Sequence, residues 1–110
     1  MNVWANPEVI EDLENLIDIL YEEGYFSYEE LSVNYVVDLF EDILTNLPVR
    51  VKRKASKFFT DRYGEGLYYA VFPKSRRTHW YAFFRMYRKD GELYYQVRFI
   101  SNNHLIAQYL

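Results

Sequence analysis

The chain has no cysteine, two histidines, four glycines, three prolines and no lysine or arginine in its first 47 residues. Zero cysteine excludes a disulfide scaffold, a zinc ribbon, an iron–sulfur protein and a thiol enzyme, and it fits a reducing compartment. His79 and His104 alone do not complete a zinc site, and no carboxylate stands at ligand spacing beside them. The few glycines form neither a phosphate loop nor a dinucleotide fingerprint; Gly64-Glu65-Gly66 lacks the third glycine and the helix start that such a motif needs. No apolar run approaches the roughly 20 residues of a membrane span. Met1-Asn2-Val3-Trp4 shows no basic segment leading into an apolar one, so no signal peptide is expected. The reading is a soluble, cytoplasmic protein without a membrane partner.

What remains is rich in other respects. The 110 residues fit one domain, spanning 1–110. Half of them are hydrophobic and 20% are aromatic, which argues against disorder. Charge is segregated: residues 1–47 hold 12 Asp and Glu, whereas residues 48–110 hold 4 of them and all 13 Lys and Arg. Such a split implies one surface that repels nucleic acid and another that attracts it.

Asn2 to Ala5 reads as a short edge strand. Asn6-Pro7-Glu8 then opens a helix, with Asn6 as cap and Pro7 at the first helical position. Val9, Leu13, Leu16 and Leu20 place a stripe on one side of it, and Gly24 ends it. Ser27-Tyr28-Glu29-Glu30 matches a capping box and predicts a second helix from Ser27, whose stripe Leu31, Tyr35, Leu39, Ile43 and Leu47 runs to Pro48. The short link implies an antiparallel pair. Paired carboxylates such as Glu11-Asp12 and Glu41-Asp42 belong to solvated helix faces. Segment 48–66 reads as irregular and basic.

From Leu67 the pattern is that of strands: 67–72, ended by Pro73; 78–87, after the basic turn Lys74-Ser75-Arg76-Arg77; and 92–100, after the hairpin signal Asp90-Gly91. A tight turn there pairs Tyr87 with Tyr94, Arg85 with Gln96 and Phe83 with Arg98. One face then carries Trp80, Ala82, Phe84, Met86, Leu93, Tyr95, Val97 and Phe99, and buries against the helix pair. The other carries His79, Tyr81, Arg85, Tyr87, Tyr94, Gln96 and Arg98, and faces solvent or a ligand. The expected fold is α+β: a short strand, an antiparallel helix pair, then a three-stranded antiparallel sheet with the helices on one face.

Arginine grips phosphate through a planar fork, and tyrosine offers a plane for an unpaired base. Arg85, Arg98, Tyr81, Tyr87 and Tyr94 therefore suggest a surface for single-stranded RNA. Lys52, Arg53 and Lys54 are candidate grips on backbone phosphates. His104, just past the last strand, is a candidate proton donor for phosphodiester cleavage, with Tyr109 five residues on. Exposed aromatics also offer a surface for a homodimer.

The element order, with Pro7-Glu8 leading into the helix pair, Leu67-Tyr68-Tyr69-Ala70-Val71-Phe72, Arg76-Arg77-Thr78-His79-Trp80-Tyr81-Ala82-Phe83-Phe84 and Val97-Arg98-Phe99-Ile100-Ser101-Asn102-Asn103-His104, resembles the RelE/ParE toxin superfamily over nearly the whole chain. The resemblance implies a toxin of a type II toxin–antitoxin system, held inactive by a cognate antitoxin. RelE-like members cut messenger RNA on the ribosome without a metal or other cofactor. On that reading Arg85 and Arg98 would stabilise the phosphate, His104 or Tyr109 would move a proton, and Lys52, Lys54, Arg76 and Arg77 are the nearest equivalents of the family's basic residues. The alternative is a non-catalytic binding module of the same fold, either a ParE-like inhibitor of DNA gyrase or an inactive homologue.

Overall fold

A computed structural model describes residues 2–110. Its order is β1 (Val3–Ala5), α1 (Pro7–Glu22), α2 (Glu29–Asn46), β2 (Arg53–Lys54), α3 (Lys57–Tyr63), β3 (Tyr68–Pro73), β4 (His79–Lys89), β5 (Glu92–Asn102) and α4 (Asn103–Ile106), with single 3-10 turns after α2 and α4. The expected α+β class holds. The sheet, however, has five strands in the order β1-β5-β4-β3-β2 and is mixed, not three-stranded and antiparallel. β1 lies parallel to β5, and every other pair is antiparallel. No helix among the described residues is long and apolar enough to cross a membrane.

Local chemistry explains most boundaries. α1 starts at Pro7, whose missing N–H costs nothing in the first turn. It ends in a Schellman motif: Gly24 sits at φ +76°, the Tyr25 N–H donates to Leu20 O and the Gly24 N–H to Tyr21 O. Two predicted caps are not made. The Asn6 side chain accepts from Gln96 Nε2 at 2.7 Å instead of capping α1. The capping box at Ser27 is absent as well, since α2 begins at Glu29 with an extended Tyr28 before it and no side-chain cap.

The helix pair packs Val9, Leu13, Val36, Leu39, Ile43 and Leu47 onto Ala70, Phe72, Trp80, Ala82, Phe84, Tyr95 and Val97 of the sheet. This is the first face, and its strand register is the predicted one up to Arg85 opposite Gln96. Beyond that point the register departs from expectation. Phe83 pairs with Phe99 rather than Arg98, because a bulge lies between the pairs Phe83–Phe99 and Phe84–Val97. A bulge adds one unpaired residue, here Arg98, and reverses parity after it. Phe99 therefore leaves the first face, and Ile100 packs there in its place.

Phe99 joins a second core on the opposite face, with Phe59, Leu67, Tyr69, Phe83 and Ile106. Segment 48–66 is accordingly not irregular throughout. It contains β2 and α3, and Phe59 of α3 stacks on Phe83 with centroids 4.3 Å apart. Helices thus lie on both sheet faces, and the second face is open over only part of its area.

Candidate nucleic-acid interface

The open part of the second face lies toward the β4–β5 hairpin. Asp90 and Gly91 both have positive φ, 52° and 80°, as a primed two-residue turn requires. That turn sets Tyr87 opposite Tyr94 and Arg85 opposite Gln96, and β1 places Trp4 beside Gln96 on the same face. Tyr87 and Tyr94 stack with centroids 5.4 Å apart and planes 13° from parallel. The Trp4 indole N–H donates to the Tyr87 hydroxyl at 2.8 Å. Trp4 and Tyr87 remain 40% and 37% exposed, so this aromatic shelf is presented to solvent.

Behind the shelf stand two guanidiniums. Arg98, the bulge residue, donates from Nη1 to Tyr63 O at 2.6 Å and from Nε and Nη2 to Gln96 Oε1 at 3.3 and 3.2 Å. Since Gln96 is itself held by Asn6, a continuous line of polar contacts fixes Arg98 between β1 and the end of α3. Burial, with Arg85 nearby as the lesser cause, draws the Arg98 pKa below that of a free guanidinium. Arg85 is exposed and makes no ion pair or side-chain hydrogen bond among the described residues. Two glycines leave room for the pair. A Cβ on Gly64 would fall 2.5 Å from Arg98 Nη1, and one on Gly66 would lie 3.6 Å from Arg85 Nε.

The other predicted site residues are scattered. His104 Nε2 is 3.1 Å from Thr78 Oγ1, and Asn103 bridges the same turn by accepting from His79 N and donating to Arg77 O. These contacts staple α4 to the β3–β4 turn. From His79 to Arg85 is six residues of strand, about 20 Å at the usual rise, and from Asn102 back to Arg98 is four, about 13 Å, so the structure does not bring His104 to the arginines. Arg76 and Arg77 are exposed in that same distant turn. Tyr109 stacks on Phe58 at 3.8 Å, nearly parallel, and its carbonyl accepts from Ser56 Oγ. Arg62, whose Cζ lies 3.6 Å from the Phe58 centroid, must take the other side of that ring.

Tyr81 is half-buried, packed edge-on against Tyr69 in the second core. Lys52 turns to the first face, where its ammonium binds Pro48 O and Arg50 O and lies 5.5 Å from the Tyr95 ring. Arg53 and Lys54 are exposed on the edge strand β2 and point to opposite faces. The structure thus joins Arg85, Arg98, Tyr87 and Tyr94 and leaves the rest apart. It adds Trp4, Gln96 and the Tyr63 carbonyl. Of these, Gln96 is already placed on this face by the hairpin register, and Trp4 carries a signal as the alternate residue between Val3 and Ala5.

Chemically, the open half offers flat aromatic surface, fixed positive charge and amide groups. Lost hydration and Glu92 push the Tyr94 hydroxyl up from 10.0, so it stays protonated near neutrality. Among the described residues no group of three or more His, Asp or Glu is placed to hold a metal ion. No family model matches this chain, and neither a curated protein nor a solved structure matches it.

Proposed function

We propose that the protein is a non-catalytic module that binds single-stranded RNA on the open half of the second sheet face. The observation that carries this is the adjacency of Arg85 and Arg98, two guanidiniums without a carboxylate partner, to the Tyr87–Tyr94 stack. Like charges held together are unfavourable until an anion sits between them. A phosphate there sets the attached bases over the tyrosines, and stacking contributes about 1–3 kcal/mol per base. Duplex RNA buries its base planes and cannot use the shelf.

Cleavage, the reading implied by the toxin resemblance, needs a proton-transferring group at the phosphate. His104 is held about 13 Å along the strand from Arg98 and about 20 Å from Arg85, and Tyr109 is stacked on Phe58. The binding reading is therefore preferred to the nuclease. The decisive experiment titrates a fluorescein-labelled uridine 12-mer with the protein and then runs the same RNA on a denaturing gel. Saturable binding is expected, weakened at least tenfold by Arg85→Ala and by Tyr87→Ala, with the RNA intact. Equal binding of duplex and single strand would overturn the proposal. So would fragments with 2′,3′-cyclic ends that vanish with His104→Ala, and these would restore the nuclease.

A further inference from the structure

The sheet has a second unoccupied feature, at the edge far from the aromatic shelf. β2 pairs only with Tyr68 and Tyr69, so Ala70, Val71 and Phe72 have no strand on their outer side. The residues that would have continued β2 turn away instead. Lys52 folds back onto Pro48 O and Arg50 O, and the Arg50 guanidinium lies 5.0 Å from the Phe72 ring. A groove of about 280 Å³ is left between the departing chain and the edge, lined by Val49, Arg50, Val51, Arg53 and Val71. Val49 and Val51 are 81% and 76% exposed, which is unusual for strand-forming apolar side chains on a folded surface.

The charge on the groove has one sign. Arg53 is exposed and makes no ion pair among the described residues. Arg50 reaches Asp42 only at 3.7 Å, and its Nε is out of water with no acceptor. An unpaired strand edge, flanking valines, the free Arg53 guanidinium and the loosely paired Arg50 specify complementary partners: backbone hydrogen bonds, alternate apolar side chains and carboxylates. We infer that this edge takes an extended acidic segment of a partner protein, which adds as a short strand outside β3, its apolar residues on Val49, Val51 and Val71 and its carboxylates on Arg50 and Arg53. Pro73, which lacks an N–H, limits the added strand at one end. This surface is separate from the RNA shelf and stands or falls without it.

The test uses a fluorescein-labelled octapeptide of alternating glutamate and valine, titrated with the full chain and followed by anisotropy. Binding on the order of 0.1 mM is expected, as for weak transient strand addition. Arg53→Glu and Val51→Lys each alter an exposed side chain, and circular dichroism checks that the fold is kept; each should weaken binding about tenfold. Amide exchange at Val71, whose N–H faces out of the edge, should slow when the peptide is bound, whereas Phe72, whose N–H faces β4, should not respond. Four outcomes overturn the inference: no saturation at millimolar protein, equal binding of the lysine–valine peptide, equal binding of a peptide N-methylated along one edge, or no response to either variant. A dimer in sedimentation that Val51→Lys dissociates would also overturn it, by assigning the edge to a second copy.

Discussion

Gly64 shows how closely a single position is tied to the shelf. Its φ of +108° is a conformation that side chains rarely adopt, and the space where a Cβ would sit holds the Arg98 guanidinium. Gly64→Ala is expected to displace Arg98 and to weaken RNA binding about as much as Arg98→Ala, with a stability loss of roughly 1–3 kcal/mol from the backbone alone, because φ 108° with ψ 160° is a region nearly confined to glycine; anisotropy and urea unfolding separate the two effects. Ser32 predicts the opposite sign. It is fully buried in α2, and its hydroxyl has no partner. Ser32→Ala should raise stability by about 1 kcal/mol, read as a higher urea midpoint. Tyr63 supplies a pH test. Burial pushes its hydroxyl up from 10.0, so the folded state holds the proton more tightly than the unfolded chain does. The stability from this residue is complete below pH 10.0 and is lost as pH rises through the higher folded value. Unfolding midpoints measured from pH 8 to 11 should therefore fall less steeply in Tyr63→Phe.

At the scale of elements, α3 ties the second core to the aromatic shelf. Its inner ring Phe59 stacks on Phe83, and its last residue, Tyr63, offers the carbonyl that holds Arg98. Phe59→Ala should cost about 3–5 kcal/mol. At temperatures where the variant remains folded, RNA binding should drop because Arg98 loses that anchor. This helix was hard to read from sequence, since seven residues among basic neighbours give less than two full turns of apolar repeat. The bulge was harder still, because an extra residue in a strand leaves no compositional mark. The reading of Phe83 opposite Arg98 was sound for an unbroken ladder. It nevertheless put Arg98 on the right face, because bulge parity turns over only after that residue. The helix pair and the hairpin were legible for local reasons: a 3.6-residue stripe needs no distant partner, and Asp90-Gly91 carries its own turn geometry. Ser27 misled because the residues from Gly24 to Tyr28 had a competing route, the Schellman closure followed by extended backbone. The parallel pairing of β1 was not readable, since nothing in Val3-Trp4-Ala5 names a partner some ninety residues away.

For the whole molecule, the decisive property is that its two charge populations do not neutralise each other. Only two ion pairs occur among the described residues, Arg50 with Asp42 and Lys57 with Asp61. A single one of the 12 acids in residues 1–47 is thus engaged. The acidic helix pair covers the first face, so approach of RNA is repelled there and admitted on the other side. One phosphate held between Arg85 and Arg98 makes log affinity for single strands fall with log salt at a slope of about −0.7, and Arg85→Ala should flatten that slope. A salt titration of both proteins decides it.

The parallel pairing of β1 has a consequence for biosynthesis. Val3 and Ala5 take their places only beside Tyr95 and Val97, so the chain through β5 must leave the ribosome before β1 finds its seat. Until then the apolar stripe of the leading helices lacks the sheet it packs on, and the 12 carboxylates of residues 1–47 give that segment a like charge that opposes self-association. Loop-closure entropy opposes so distant a pairing, so the seat that brings the indole of Trp4 to the shelf depends on the carboxy-terminal hairpin already being in place.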